Sequence, residues 1–245
     1  MASVIARKSL LLNRMPQTRF DQRGDRRSFL RTGFVGLLFA SGLARRALSA
    51  EMEKPLKIIA FGDSLTAGFG LPTDEAPPAV LEKLLRAEGY QATIVNAGVS
   101  GETATAGLAR LDWTIGDGAD GVILELGAND MLRGINPEVT RSALDAILSD
   151  LKARKIMTLV AGMRATPSLG REYKTRFDAI YPALAKKYDA LLYPFFLDGV
   201  AGVPDLNQND GLHPNSAGVA RIVRGIMPTV RVFLERLGAK AAKPQ

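Results

Sequence analysis

Residues Lys57–Gly68 read KIIAFGDSLTAG. After Lys57 the first half is apolar without alternation, as expected of a strand buried on both faces. The second half turns. Gly tolerates unusual backbone angles, and Asp and Ser hydrogen-bond to nearby backbone, so Gly62, Asp63 and Ser64 are residues that turns use. A buried strand that stops at a polar turn decides the fold if the pattern recurs. It leaves open whether Ser64 is an exposed nucleophile or an ordinary turn serine.

The pattern does recur. Apolar runs at Ala92–Ala97 (ATIVNA), Gly121–Leu126 (GVILEL), Ile156–Ala161 (IMTLVA) and from Ala190 to Tyr193 predict four more strands. Stretches with helical spacing lie between and after them. These are Glu75–Glu88, Thr103–Trp113, Pro137–Arg154, Arg171–Tyr188 and Asn215–Leu237, the last expected to bend near Pro228. Strands alternating with helices pair in parallel through right-handed crossovers, with helices on both faces. The expected fold is α/β, a three-layer doubly wound sandwich around a central five-stranded parallel sheet. In such sheets sites form at the carboxyl ends of strands. Asp63–Ser64 follows the first strand, Gly98–Glu102 the second and Gly127–Asp130 the third. These polar runs should therefore converge on one edge.

The chain has 245 residues, 47% of them hydrophobic and 23% charged, an ordinary globular composition. Its net charge of +7 is concentrated at one end. Residues 1–50 hold ten Lys or Arg against two acids, a local +8 that leaves −1 on the remainder. A body without basic excess cannot neutralise phosphates, which argues against a nucleic-acid partner. The basic end has its own order: DRRSFLR (Asp25–Arg31), the uncharged TGFVGLLFASGLA (Thr32–Ala44), then RRALSA. Paired arginines, a short apolar region and small residues near Ser49 and Ala50 form an export signal. The apolar region has 13 residues, short of the roughly 20 that span a bilayer. Arg26-Arg27 ahead of Phe29-Leu30 resembles a twin-arginine signal, with Asp25 in place of the usual Ser or Thr. Residues 1–50 are thus read as a twin-arginine-like signal peptide and 51–245 as one domain. The expected destination is the periplasm, reached through the Tat export machinery, and the expected state is a monomer.

There are no cysteines and one histidine, His213. Thiol nucleophiles, thiolate metal sites and multi-histidine metal centres are therefore excluded, and no cofactor is expected. Any imidazole chemistry falls to His213, in DGLHPN (Asp210–Asn215). A carboxylate three residues upstream can reach the imidazole Nδ1–H, fixing the tautomer and leaving Nε2 as a base. A serine hydroxyl needs such a base. Acyl transfer also needs donors for the oxygen that gains charge. The Ser64 and Gly101 backbone N–H groups and the Asn129 side-chain amide can supply them.

The four runs FGDSLTAG, NAGVSGET, ELGANDML and DGLHPN, in this order, resemble the blocks of the GDSL, or SGNH, hydrolase family. The likeness extends over about residues 56–235. It implies a flavodoxin-like SGNH hydrolase fold, Ser64 as nucleophile, Gly101 and Asn129 as oxyanion donors, and Asp210 and His213 as the remaining triad. IYPALAKKY and LLYPFFLDGVAG further resemble the bacterial branch of arylesterases, acyl-CoA thioesterases and lysophospholipases. That branch acts without metal and is typically exported. The chain departs from it at Pro77-Pro78, where an aromatic residue is common, and Arg164 has no assigned counterpart. The expected activity is hydrolysis of a small-molecule ester or lipid-like substrate by a serine esterase. A carbohydrate O-deacetylase on the same machinery and a non-catalytic ligand-binding envelope protein are the alternatives.

Three motif matches fail on context. GDGADG (Gly116–Gly121) fits G-x-G-x-x-G but precedes a strand, and its acids would repel a pyrophosphate. DLNQNDG (Asp205–Gly211) starts like a calcium loop but has Ser216 at position twelve. No G-x-S-x-G nucleophile elbow is present.

Overall fold

In the computed structural model, which describes residues 54–116 and 118–241, the opening apolar run is β1 (Leu56–Gly62), the second strand of a five-stranded sheet. β2 (Ala92–Gly98) flanks it on one side. On the other side follow β3 (Gly121–Glu125), β4 (Met157–Ala161) and β5 (Leu191–Tyr193), giving the order β2-β1-β3-β4-β5 with every pair parallel. β3 is buried along its whole length and β1 from Ile58 onward, which is why both read as continuous apolar runs. The twin-arginine-like segment 1–50 lies outside the described residues. None of the described helices is long and apolar enough to cross a membrane.

The helices follow the sequence spacing, with informative differences. α1 (Ser64–Ala67) is one turn directly after β1. α2 (Pro77–Ala87) begins at the proline pair rather than at Glu75, because Thr73–Glu75 forms a separate 3₁₀ turn. Prolines at the first helical positions lose no hydrogen bond there. α3 (Ala104–Ile115), α4 (Ala128–Leu132) and α5 (Pro137–Ala153) follow. The helix expected over Arg171–Tyr188 is two helices, α6 (Arg171–Asp178) and α7 (Ile180–Tyr188). Pro182 has no N–H for the carbonyl of Asp178, and its ring crowds that carbonyl, so the chain breaks at Ala179 and Pro182 falls in the first turn of α7. Pro228 acts differently. α8 (Ser216–Arg236) passes through it unbroken. Val219, Ile222, Val223 and Ile226 before it, and Val230, Phe233 and Leu234 after it, are all buried. Continuous packing on one face holds the helix across the missing bond.

α2 packs on α8, while α3 packs on α5 and α5 on α7. These are the two outer layers of the sandwich. The chain moves from β1 outward to β2, then returns past β1 to β3. The switch point therefore lies at the carboxyl ends of β1 and β3. The register aligns Gly62 with both Gly98 and Glu125, so three strands end level with one another.

Candidate active site

The site is built on these strand ends. Gly62 closes β1 where no side chain fits: a Cβ there would lie 2.1 Å from Thr66 Oγ1 and 2.5 Å from the Glu125 carbonyl oxygen. That close approach lets the chain turn immediately into α1. Asp63 caps the turn, its Oδ1 accepting from the Leu65 N–H at 2.9 Å. Ser64 is the first residue of α1, so its backbone N–H has no acceptor within the helix. Its side chain meets His213, with Oγ 2.9 Å from Nε2.

His213 is held from several directions. Its Nδ1 lies 2.6 Å from Asp210 Oδ2, a partner that fixes the N–H on Nδ1 and leaves Nε2 to accept the Ser64 hydroxyl proton. Asp210 Oδ1 accepts the backbone N–H groups of Leu212 and His213, an Asx turn. These bonds hold the Asp210 carboxyl down at about 2; the His213 backbone N–H contributes most, then the imidazole. The Phe69 ring lies 4.6 Å from the imidazole centroid. The run DLNQNDG, which imitates a calcium loop, instead braces this turn. Asn207 donates to the carbonyls of Val200 and Val203. Gln208 donates to those of Phe69 and Pro214, tying the histidine loop to the serine turn. A hydroxyl bonded to an imidazole that is oriented by a carboxylate can give up its proton in a reaction.

The two other candidate donors arrive from β2 and β3. Gly101 has φ +79°, the left-handed region that glycine enters without strain. It is the third residue of a turn closed by the Glu102 N–H on the Val99 carbonyl, so its own N–H is not spent there. Arg133 donates to the Gly101 carbonyl at 2.6 Å. The turn is anchored below by a buried ion pair. Arg110 binds the Glu102 carboxylate through Nε and Nη2 and also donates to the carbonyls of Gly62 and Ala97. Its guanidinium lies 4.0 Å from the Phe61 ring centroid. Asn129, on α4, directs one amide N–H to Asp63 Oδ2 at 3.1 Å. All five residues singled out in the sequence, Ser64, Gly101, Asn129, Asp210 and His213, thus sit on or beside the converging strand ends.

Four contributors were not apparent from spacing alone: Asp63 as partner of Asn129, Glu125, Arg110 and Gln208. Glu125 carried one signal, as the single acid in the otherwise apolar GVILEL. It is 1% exposed. Its Oε2 accepts from the Thr66 hydroxyl and the Asp63 N–H, while Oε1 receives no hydrogen bond among the described residues. Burial pushes the Asp63 carboxyl up, to about 6, and Glu125 well above its usual range. Arg164, unassigned in the sequence, stands over the Phe195 ring. A cavity of about 470 Å³ is lined by Met157 and Leu191 at the amino ends of β4 and β5. It opens on the sheet edge opposite Ser64 and has no part in this site. Among the described residues no cluster of acids and histidine is arranged to hold a metal.

Residues 60–221 match the model of the GDSL-like lipase/acylhydrolase family. The chain belongs to that family. As a GDSL-like acylhydrolase it is a carboxylic ester hydrolase. Among its relatives, esterase TesA of Pseudomonas aeruginosa is 35% identical over 198 residues, 80% of this chain and 98% of the relative. Thioesterase 1/protease 1/lysophospholipase L1 of Escherichia coli K12 is 39% identical over 179 residues, 73% of this chain and 82% of the relative. The crystal structure of AlinE4, an SGNH-hydrolase family esterase, is 49% identical with a TM-score of 0.63, covering 75% of this chain and 98% of that one.

Proposed function

We propose that this GDSL-like hydrolase is a serine esterase that works through an acyl-enzyme. The contact that carries the reading is Ser64 Oγ at 2.9 Å from His213 Nε2, with Asp210 on the far side of the ring. Ser64 attacks the acyl carbon while His213 takes its proton. The tetrahedral oxygen gathers charge between the Ser64 N–H, the Gly101 N–H and the free N–H of the Asn129 amide. His213 then protonates the leaving alcohol or thiol, and Asp210 stabilises the imidazolium. Water, deprotonated by the same base, releases the acid.

The substrate class follows from the rim. Phe69, Val99, Leu132 and Leu212 are exposed apolar side chains on or next to the four segments that carry the site residues. Apolar side chains favour aryl and acyl groups, including acyl thioesters and lysophospholipids, over an acetylated sugar. We also propose export to the periplasm by the twin-arginine route, on the strength of Arg26-Arg27 and the short apolar segment after them.

An organophosphonate serine probe should label the protein at Ser64, and Ser64→Ala should stay folded without hydrolysing an aryl acetate. Retained hydrolysis in that variant overturns the mechanism. Faster turnover of acetylated sugars than of aryl esters and acyl thioesters overturns the substrate class. For the leader, Arg26→Lys/Arg27→Lys should keep the protein in the cytoplasm, and unchanged export would refute the route.

A further inference from the structure

Asp63 and Glu125 are two acids packed together beneath the candidate oxyanion hole, 0% and 1% exposed. The Asp63 backbone N–H donates to Glu125 Oε2 at 3.4 Å, and burial, then the Asp63 charge, pushes the Glu125 carboxyl up. Two adjacent carboxylates without water cannot both ionise, because each charge raises the cost of the other and neither is solvated. The donors decide which one stays charged. Asp63 accepts the Leu65 N–H on Oδ1 and the Asn129 amide on Oδ2. Among the described residues Glu125 accepts on Oε2 alone, and its Oε1 finds no donor. An oxygen without a donor is the natural seat of a proton, since it then becomes the donor.

The surroundings agree. Beside Glu125 lies an apolar cavity of about 30 Å³ bounded by Ala60, Leu81, Ile123, Phe196 and Ile222, with the Thr66 hydroxyl. The other titratable and charged groups facing the pair are His213 from the DGLHPN loop, Tyr181 from α7 and Asp130 from α4. Tyr181 donates to the Leu126 carbonyl. Asp130 is occupied by the Ala104 N–H and the Thr140 hydroxyl. Arg110, whose Nη2 reaches the Gly62 carbonyl, is committed to Glu102. Among the described residues no Lys or Arg forms an ion pair with either acid.

We infer that Asp63 and Glu125 hold one proton between them, resident on Glu125, and that the Asp63 carboxylate is the positioning residue for the Asn129 amide. With one amide hydrogen tied to Asp63, the other is aimed at the oxyanion. A neutral Glu125 keeps a second negative charge away from that oxygen. What the aimed amide does rests on the serine esterase reading; where the proton lies does not.

The proton is read by infrared difference spectroscopy on the intact protein in deuterated water at about pH 8, well above ordinary carboxyl pKa values. The carbonyl stretch of an un-ionised carboxylic acid should be present. It should shift when glutamate side chains are isotopically labelled and vanish in Glu125→Gln. Absence of the band, or a band that ignores the glutamate label, overturns the inference, and both arms need only the wild-type chain. Kinetically, Asp63→Asn should lower kcat on the order of 100-fold with little change in KM. A loss confined to KM, or an unchanged kcat, overturns the positioning role. If the band behaves as expected while the phosphonate fails to label Ser64, the esterase mechanism falls and the shared proton stands.

Discussion

Two aspartates flank Ser64 and live in opposite environments. The Asp210 side chain is 38% exposed, yet its carboxyl is held down at about 2, because the His213 N–H, the imidazole and the Leu212 N–H all donate to it. Asp63 is sealed from solvent, and its carboxyl is pushed up to about 6 by burial against the opposing pull of its donors. An exposed acid is therefore the firmer anion, and a buried one is held at the edge of neutrality. Counting donors and waters, rather than proximity to the serine, separates the acid that orients the base from the acid that orients the amide.

The contrast can be broken most severely at Asp210. Asp210→Asn leaves the loop in place but offers Nδ1 the wrong partner, so kcat should fall on the order of 1,000- to 10,000-fold with an aryl ester. A loss under tenfold would remove Asp210 from the mechanism. Asn129→Ala tests the other arm. Losing one oxyanion donor should cost about 3 kcal/mol in the barrier, mostly in kcat. A change confined to KM would mean that Asn129 merely binds substrate.

Acid stability sharpens the contrast further, because the two shifts have opposite signs. Asp210 lies below its usual 3.8, so it stabilises the fold above that pH and loses this contribution as pH falls towards 2. Asp63 lies above 3.8, so the fold loses stability as pH rises from about 4 to about 6. Melting temperature against pH should show the first slope flattened in Asp210→Asn and the second reduced in Asp63→Asn, with the raised Glu125 carboxyl keeping part of it. Matching slopes in the two variants would refute the assignment. The smallest effect belongs to a pair outside this contrast. Arg231 and Glu88 form a bidentate bridge between α8 and the end of α2, with both side chains more than a third exposed. Arg231→Ala should cost less than about 1 kcal/mol in denaturant unfolding and leave kcat/KM unchanged.

Most of the sheet was legible because a buried parallel strand writes itself as a local apolar run. The convergence of Ser64, Gly101 and Asn129 was legible because the crossover rule puts strand ends on one edge. What escaped depends on register and on proline. Pairing Asp63 with Glu125 requires knowing that Gly62 lies level with Glu125, a relation 62 residues apart along the chain. Arg110 lies in the helical run Thr103–Trp113, and nothing local marks its partners Gly62, Ala97 and Glu102. The break at Ala179 was hidden because apolar spacing continues through it, whereas Pro182 forbids the hydrogen bond that spacing cannot see. Asn207 stood at a ligand position of the calcium-loop pattern, but the loop uses its amide nitrogen, and that of Gln208, as donors.

The Ser64–His213 contact joins residues 149 positions apart, with the imidazole just ahead of the last helix. During synthesis the hydroxyl emerges early and waits without its base while the four later strands are made. On the proposed mechanism, a chain that stops before His213 lacks the base that Ser64 needs.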